Sequence, residues 1–462
     1  MKKRTIIFAC ALLFAVAAQA QWDLEGVTVD TSKWIDFAPS WNPDPYIMTP
    51  GAGTVGSVRQ SVKSKGIRRA PQKAEGAELP EYWDNATTKH FPPVFNQAGG
   101  SCGVSSRAGY MLCEELNAYR GTDASHPDNR IAPNPQHPFD HTGPNKNTMA
   151  YQIGFPSVTV LGGFPYSNAI GFYGPTSDDA GWMQGYDKWY KTMFNRIWGS
   201  SSIPVPVIGY PDDNSEDWGL GGFGPGALAA KRYLYNHNGD ESFYTGGLLG
   251  LGVASGGKTL SIPSSAANRS VGVVGKKYWV TGPQVDHAVT ITGYDDRVEF
   301  DLDGNGKVGE RKNSDGYDEK GAWIVVNSWG GWANNGFVYV PYALAAPNCK
   351  ANTSGKGWIP VGSGFTPEIW HIRKDYVPTR TIKLKISFNQ RSAISLKAGI
   401  STNLKATSPS KTMTFEHFSY KGDGNNDGKD AMTPMLGKWT DGMHYEPMEF
   451  GFDLSDQIGA HV

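Results

Sequence analysis

The sequence has few cysteines, almost no net charge and only one long apolar run, and each scarcity excludes a class of protein. Four cysteines in 462 residues supply no disulfide scaffold, and a chain of this length buries sizeable cores without one. A formal net charge of -1 gives no bulk attraction to nucleic acid or to an anionic membrane, so no nucleic-acid partner is expected. The chain is instead rich in glycine (57 residues), proline (30) and aromatic side chains (12%), which is typical of a loop-rich globular protein.

The apolar run lies at the N-terminus and indicates export. A basic segment, Lys2 to Arg4, precedes an apolar stretch over residues 5–17, and an Ala-Gln-Ala cleavage site ends at Ala20. The run is shorter than the ~20 residues of a membrane-spanning helix, and we expect no membrane span elsewhere. We therefore predict a signal peptide over residues 1–20 and a secreted protein, located in the periplasm, outside the cell or on its surface. The signal and the lack of a disulfide scaffold favour a bacterial origin.

Composition and pattern divide the remaining chain into three parts. Residues 21–78 carry little regular pattern and end in a basic stretch, so we interpret them as a propeptide-like leader and linker. Residues 79–376 combine helical spacing early with buried strands late, which predicts an α+β domain. Over residues 378–462, apolar and polar residues alternate between Gly, Asn and Asp turns. This pattern predicts a small all-β sandwich domain, which the chain end could leave incomplete.

A helix is predicted directly after Cys102. Apolar residues recur at helical spacing from Ala108 to Tyr119, and Arg120-Gly121 supplies a helix stop. A thiol attacks an acyl carbon only as the thiolate, and the positive end of a helix dipole stabilises that anion. The start of this helix is therefore a suitable place for a nucleophilic cysteine.

The cysteine count also favours a chemical role. Three cysteines remain once the signal is removed, an odd number for an oxidising compartment, so at least one is a free thiol or pairs between chains. Cys113 falls on the Cys102 helix and is interpreted as buried packing. Its pairing with Cys349 is the alternative.

Two later segments offer an imidazole and a group to orient it. His287 opens the apolar stretch HAVTITGY, and Asn327 ends the apolar stretch WIVVN, with Trp329 two residues further on. Both stretches are predicted as strands. If these strands are neighbours, the histidine and the asparagine lie side by side, and the tryptophan shields their hydrogen bond from water.

Five stretches occur along residues 79–376 in an order typical of one enzyme family. They are LPEYWDN, PVFNQAGGSCG, LGGFPYSNA, VDHAVTITGY and WIVVNSWGGWANNGFVYV. Together they resemble a papain-like cysteine protease. The resemblance implies an α+β, papain-like fold of two subdomains, a helical left part and a β-barrel-like right part, followed here by the small all-β sandwich domain.

The resemblance also implies a role for each polar residue. Cys102 would be the nucleophile and His287 the general base and acid, while Asn327 would orient His287 and Trp329 would cover that contact. The Gln97 side chain and the Cys102 backbone N–H would form the oxyanion hole. No cofactor is required for this chemistry.

Substrate binding is implied in the LGGFP stretch. Gly162 and Gly163 would bind the substrate backbone, and Phe164 and Pro165 would border the pocket for the second residue before the cleaved bond.

Several departures from the family concern specificity and zymogen control more than chemistry. The spacer between Gln97 and Cys102 is one residue shorter than the family pattern, and Gly103 replaces the usual aromatic residue. Val160 stands where one half of a usual disulfide would lie, and the other half is missing as well. A helical prosegment is not recognisable in residues 21–78.

A stretch between the His and Asn strands opens like a calcium loop. Asp301, Asp303 and Asn305 place oxygen ligands at alternating positions, and Gly306 lies at the turn. The acid expected at the twelfth position is replaced by Lys312. Three later acids could substitute for it, Glu310, Asp315 and Asp318. A structural calcium ion would stiffen this hairpin, and the alternative is a plain polar hairpin tip.

The sequence as a whole predicts a secreted cysteine endopeptidase that acts on protein or peptide substrates through a covalent thioester. Two alternatives remain open. One is an acyltransferase or amidase with the same catalytic set, and the other is a catalytically inert surface-binding protein on the same fold.

Overall fold

A computed structural model of the chain describes the residues on which the following account rests. They are 4–8, 78–97, 102–131, 185–202, 225–253, 255–280, 286–312, 314, 318–345, 367–388, 394–401, 403, 405–415, 437–439 and 442–455. These residues form a large mixed sheet with few helices, in agreement with the predicted α+β class.

The strands and helices are numbered in chain order. The strands are β1 (Arg4–Phe8), β2 (Tyr82–Asp84), β3 (Ile197–Ser202), β4 (Leu249–Val253), β5 (Lys258–Ser261), β6 (Lys277–Val280), β7 (His287–Glu299), β8 (Lys320–Val326), β9 (Phe337–Pro341), β10 (Glu368–Ile372), β11 (Thr381–Ile386), β12 (Ile394–Ile400), β13 (Lys411–Phe415), β14 (Gly437–Trp439), β15 (Gly442–His444) and β16 (Met448–Asp453). The helices are α1 (Cys102–Val104), a π-helical segment (Ser105–Leu112), α2 (Cys113–Arg120), α3 (Tyr186–Thr192), α4 (Pro225–Asn236), α5 (Ala266–Ser270) and the short turn α6 (Trp332–Asn335).

The 13-residue strand β7 lies at the centre of a nine-stranded sheet. The strand order is β3-β10-β4-β7-β8-β9-β6-β5, and β2 pairs with the second half of β7. All neighbours are antiparallel except β6 and β9. In register, His287 lies opposite Val253 of β4, and Thr290 lies opposite Val326 of β8. The start of β7 therefore lies beside the end of β8, which confirms that the predicted His and Asn strands are neighbours.

One continuous helix, residues 102–120, begins at Cys102, as the sequence predicts. Its middle, Ser105–Leu112, has π-helical hydrogen bonding, a departure from the regular α-helical spacing that is frequent at functional sites. The helix ends at Gly121, whose φ of 70° is left-handed and whose N–H donates to Asn117 O. Glycine adopts this conformation without a steric penalty, so the predicted stop is confirmed.

Two apolar clusters hold these elements together. One packs the Cys102 helix, through Tyr110, Met111 and Leu116, against Phe95 and the end of β8. The other packs α4 against the central strands and contains four large, fully buried aromatic residues, Trp279, Trp323, Tyr294 and Tyr342. Each fully buried side chain of this size contributes about 1.5–3 kcal/mol relative to its exposed state, so both flanks of the sheet are firmly anchored.

The C-terminal residues form strand pairs. Strand β11 pairs with β16, β12 with β13 and β14 with β15, all antiparallel. Along β11, Ile382, Leu384 and Ile386 are half-buried and alternate with exposed lysines, as their spacing predicts. These separate pairings do not establish the predicted sandwich.

Buried contacts cross the predicted boundary near residue 377. Trp189 of α3 packs on Phe450 of β16 with ring centroids 5.0 Å apart. Arg196 forms an ion pair with Asp453 of β16, and the two side chains are 1% and 0% exposed. Tyr376 also donates to Asp453. The β11–β16 pair is thus packed onto the preceding region through α3.

Strand β1 lies within the predicted signal peptide and pairs in parallel with β12, Arg4 opposite Ile394 and Phe8 opposite Ala398. Cleavage of a signal peptide over residues 1–20 would remove β1, so the pairing of β1 with β12 describes the uncleaved chain. The signal peptide itself stays a prediction. Among the described residues, no helix has both the length and the apolar character needed to cross a membrane.

Candidate active site

The start of β7 and the end of β8 bring His287 and Asn327 into contact. His287 Nε2 lies 2.8 Å from Asn327 Oδ1, and the two residues are 7% and 0% exposed. Because an amide oxygen only accepts hydrogen bonds, Nε2 carries the hydrogen in this arrangement. In the neutral ring, Nδ1 is then the nitrogen that can accept a proton. The amide nitrogen of Asn327 is buried and has no hydrogen-bond partner within the described part of the chain.

Trp329 covers this contact from the turn after β8. Its ring stacks on the His287 ring with centroids 4.6 Å apart and an interplanar angle of 24°. The turn is fixed by backbone hydrogen bonds, with Asn327 N donating to Gly336 O at 2.9 Å. Gly336 has a φ of 94°, where a side chain would be strained. The tryptophan ring therefore lies over His287, beside its hydrogen bond to Asn327.

Burial governs the acid–base behaviour of His287. Desolvation lowers the pKa of the His287 imidazole below its ordinary value of 6.5, while the hydrogen bond to Asn327 and the nearby Asp286 carboxylate act in the opposite direction. An imidazole that is mostly neutral near neutral pH is ready to accept a proton.

Cys102 lies at the first position of its helix and is buried, with 5% of its surface exposed. Segment α1 contacts β7, the strand that begins with His287. The backbone N–H groups of a first helical turn lack partners within the helix, so they can donate to an anion. The placement of the cysteine at a helix start is therefore as predicted, and the structure adds that this helix start contacts the strand that begins with His287.

Cys113 lies eleven residues further along the same helix and, like Cys102, is a buried free cysteine. It is fully buried in the helix interior, and its Sγ accepts from Ile131 N at 3.5 Å. Burial raises the pKa of the Cys113 thiol to about 12, so this thiol stays protonated and unreactive. Its interpretation as packing is confirmed. The proposed disulfide partner, Cys349, lies outside the described residues.

Gln97 is held beside the turn that carries Trp329. Its backbone N–H donates to Ser328 O at 2.7 Å, and the Ser328 hydroxyl donates to Gln97 Oε1 at 2.7 Å. Asn96 forms a β-bridge with Trp329. These contacts hold Gln97 against Ser328, the residue that follows Asn327. Residues 98–101, which connect it to Cys102, lie outside the described part of the chain, as do Gly162, Gly163, Phe164 and Pro165.

Tyr110 is a site residue that the sequence analysis missed. Its hydroxyl accepts from Phe95 N at 3.3 Å and donates to Asn327 O at 3.3 Å. It thereby joins the Cys102 helix to the backbone of Asn327. Its spacing in the sequence could have identified it, because Tyr110 follows Cys102 by eight residues, or about two helical turns, and such residues lie on one side of a helix.

The predicted calcium loop lies at the far end of the β7–β8 hairpin. Carboxylate oxygens of Asp301, Asp303 and Glu319 lie within 4.8 Å of one another. Asp301 Oδ1 is buried and has no hydrogen-bond partner among the described residues. The third acid of this cluster is Glu319, which is not among the three substitutes inferred from loop spacing.

Asn305, the third residue of the predicted ligand set, makes local hydrogen bonds. Its amide nitrogen donates to Asp303 Oδ2 at 3.0 Å and to Glu310 Oε2 at 2.6 Å. Its Oδ1 accepts from Lys307 N at 2.8 Å. Asn305 therefore shapes the loop around Asp303.

Comparisons with known proteins give only distant likenesses. No family model matches the sequence, and no curated protein matches it. Among solved structures, the chain is similar to a digestive procathepsin L2 proteinase from the larval midgut of Tenebrio molitor, at 18% identity over 64% of this chain and 69% of that chain, with a TM-score of 0.34. It is similar to a recombinant stem bromelain precursor at 13% identity over 66% of this chain and 76% of that chain, with a TM-score of 0.34.

A third similar structure contains the cysteine protease and lectin-like domains of Cwp84, a surface layer associated protein of Clostridium difficile. It is 13% identical over 69% of this chain and 56% of that chain, with a TM-score of 0.33. Identities and TM-scores this low decide neither the fold nor the activity. Both therefore rest on the geometry of the chain itself.

Proposed function

We propose that the chain is a secreted cysteine endopeptidase of the papain-like type. The observation that supports this most is the His287 Nε2 to Asn327 Oδ1 hydrogen bond of 2.8 Å, stacked under Trp329, at the start of the strand that the Cys102 helix contacts. A nucleophile at a helix start, a buried base and a group that orients the base are the parts that acyl transfer to a thiol requires.

The proposed reaction has two halves. The Cys102 thiolate attacks the peptide carbonyl carbon, forming a C–S bond, and the C–N bond breaks as imidazolium His287 gives its proton to the leaving amine. Water then attacks the thioester, His287 takes its proton and the C–S bond breaks, so that the acid product leaves and the Cys102 thiolate and imidazolium His287 are restored. Gln97 and the Cys102 N–H are assigned to the negative oxygen of each tetrahedral intermediate, where one donor contributes about 10²–10³ in rate.

The proposal includes the finer organisation that the resemblance implies. Gly162, Gly163, Phe164 and Pro165 are assigned to the binding of a protein or peptide substrate. The signal peptide and export, the leader over residues 21–78, the two-subdomain arrangement of residues 79–376 and the C-terminal β-sandwich belong to the same proposal.

Selective labelling tests the proposed nucleophile. The full-length protein without its signal is treated with an epoxide thiol inhibitor, and the adduct is mapped by mass spectrometry. We expect labelling of Cys102 and loss of peptide hydrolysis in Cys102→Ala. Cys113→Ala is the matched control, since that thiol lies on the same helix and stays protonated, and it should keep both labelling and activity. Labelling elsewhere, or hydrolysis that survives Cys102→Ala, would contradict the proposal.

Product analysis separates peptide hydrolysis from the related reaction of acyl transfer. With a peptide substrate and an added amine, a peptidase yields mainly the free acid, whereas an acyltransferase yields the amide. A protein that yields neither product and does not react at Cys102 would be an inert binding protein.

We also propose that the hairpin loop binds a structural calcium ion through Asp301, Asp303 and Glu319. Three carboxylates this close repel one another unless a cation compensates them, and Asp301 Oδ1 is buried without a hydrogen-bond partner in the described residues. Catalysis itself requires no metal in this proposal.

A further inference from the structure

Two hydroxyl side chains join the Cys102 helix directly to β7. Ser106 follows Cys102 by one helical turn, and Thr290 follows His287 by three residues. Ser106 Oγ lies 2.8 Å from Thr290 Oγ1 and 2.8 Å from Val289 O. Thr290 Oγ1 also donates to Ser106 O at 3.2 Å. The helix that begins with the proposed nucleophile is thus bonded to the strand that begins with the proposed base.

Arg107 sets the direction of these hydrogen bonds. Its Nη1 donates to Ser106 Oγ at 3.0 Å, and a guanidinium only donates, so Ser106 Oγ accepts there and its own hydrogen points towards β7. Arg107 Nε donates in turn to Glu368 Oε2 of β10 at 3.0 Å. Hydrogen bonds made by Arg107 and Ser106 therefore link β10, the helix and β7.

The neighbouring serine shows that this pairing is particular to Ser106. Ser106 and Thr290 are 1% and 0% exposed, so each hydroxyl must find its partners within the protein, and each donates to a backbone oxygen of the other element. Ser105 is also 0% exposed, yet its hydroxyl has no partner among the described residues. Burial at this level of the helix thus does not by itself lead to a bond with β7.

We propose that Ser106 and Thr290 are positioning residues that hold the Cys102 helix in the register at which its thiol meets His287; this inference rests on the proposed function. Apolar packing is non-directional and lets a helix turn or slide against a sheet, whereas paired hydroxyls fix one register. Proton exchange needs its two heavy atoms about 2.6–3.2 Å apart, and a displacement of about 1 Å can cost about 10²-fold in rate. The hydroxyl pair supplies a directional contact, which can keep the distance between the thiol and the imidazole within that narrow range.

The test measures the rate at which iodoacetamide alkylates Cys102 as a function of pH, in the full-length protein without its signal. Ser106→Ala should lower the second-order rate constant at neutral pH by about tenfold and move the midpoint of the pH–rate curve upward, because a displaced imidazolium no longer stabilises the thiolate. Ser105→Ala is the matched control and should stay within about twofold of wild type. A merely structural role would lower the melting temperature and leave the pH midpoint in place, and that result would overturn the proposal.

A second pair of variants keeps the proposal testable if Ser106→Ala does not fold. Thr290→Val should reproduce the slower alkylation and the shifted midpoint, and Thr290→Ser should restore both. Thr292→Val is its control, since Thr292 lies on the same strand, is 0% exposed and donates to Ile324 O of β8 at 3.4 Å. Equal profiles for Thr290→Val and Thr292→Val would overturn the positioning role.

The same data separate this inference from the proposed function. If wild-type protein shows no selective alkylation of Cys102, the proposed function fails and the positioning role falls with it. If Cys102 is reactive in wild type and equally reactive in Ser106→Ala and Thr290→Val, only the positioning role is overturned.

Discussion

The two ends of the β7–β8 hairpin arrange polar side chains in opposite ways. At the near end, an imidazole N–H meets an amide oxygen, His287 to Asn327, and the two groups satisfy each other. At the far end, carboxylates of Asp301, Asp303 and Glu319 converge within 4.8 Å, and the groups are of one sign. The near end thus pairs a donor with an acceptor, whereas the far end brings like charges together, which is the arrangement that the proposed calcium ion would compensate.

The two ends of the hairpin also differ in how deeply their polar side chains are buried. Asn327 and His287 are almost inaccessible and are covered by Trp329, so water competes little for their hydrogen bond. At the far end Glu319 is buried but Asp301 and Asp303 are partly exposed, which gives an ion a route to the carboxylates. We therefore expect the near end to govern activity and the far end to govern calcium-dependent stability.

The largest expected effect is loss of the proposed base, His287, at the near end. His287→Ala should lower kcat/KM by about 10²–10⁴, because a positioned general acid–base group contributes about that factor. Steady-state hydrolysis of a fluorogenic peptide measures it. Glu319→Gln, at the far end, should stay within about twofold of wild type. Equal losses of kcat/KM in the two variants would contradict the expectation that the near end, and not the far end, governs activity.

Removal of the proposed orienting group, Asn327, has the next largest expected effect. Asn327→Ala should lower kcat/KM by about 10- to 100-fold, since a hydrogen bond to a charged partner contributes about 1.5–3 kcal/mol. The matched control is Asn334→Ala, because the Asn334 amide binds only the backbone of Lys277 among the contacts described. Activity that falls equally in both variants would show a general effect on the turn and not an effect on His287.

The near end could be predicted from sequence because each of its parts is local. Helical spacing after Cys102 and apolar strands that start at His287 and end at Asn327 carry their own periodicity, and two such strands in succession usually pair. The π-helical segment Ser105–Leu112 was not predicted, because apolar residues three and four apart are compatible with both helix types.

The far end was predicted only in part, since its third acid comes from strand register. Glu319 lies beyond the loop, and the pairing of Phe300 N with Glu319 O at 3.0 Å folds it back to Asp301 and Asp303. Spacing within the loop pointed to Glu310, Asp315 and Asp318, because the spacing of residues along a loop contains no information about how the flanking strands pair. Ser106 and Thr290 were missed for the same reason, since they lie 184 positions apart.

Calcium should stabilise the far end. At a calcium concentration about 100 times Kd, one site raises the free energy of unfolding by about 2.7 kcal/mol, and the melting temperature rises accordingly. Differential scanning fluorimetry with calcium and with a chelator measures the shift. Glu319→Gln should abolish it, and Asp318→Asn should keep it, because the Asp318 carboxylate faces Arg311 Nε at 3.3 Å. A shift that persists in Glu319→Gln, or no shift in wild type, would contradict the calcium proposal.

The smallest expected effect is the pH dependence of stability that His287 causes. Burial lowers the pKa of folded His287 below its ordinary value of 6.5, so the folded state binds fewer protons than the unfolded state between the two values. Its stabilising contribution is fully present above about pH 6.5 and is lost as pH falls through the folded pKa. Urea unfolding should therefore show that Cys102→Ala loses more stability below that pH than Cys102→Ala/His287→Gln. Burial also lowers the pKa of His90 and His371, but both remain in each variant and cancel in the difference. Equal slopes for the two variants would mean that the near end is not desolvated as its burial indicates.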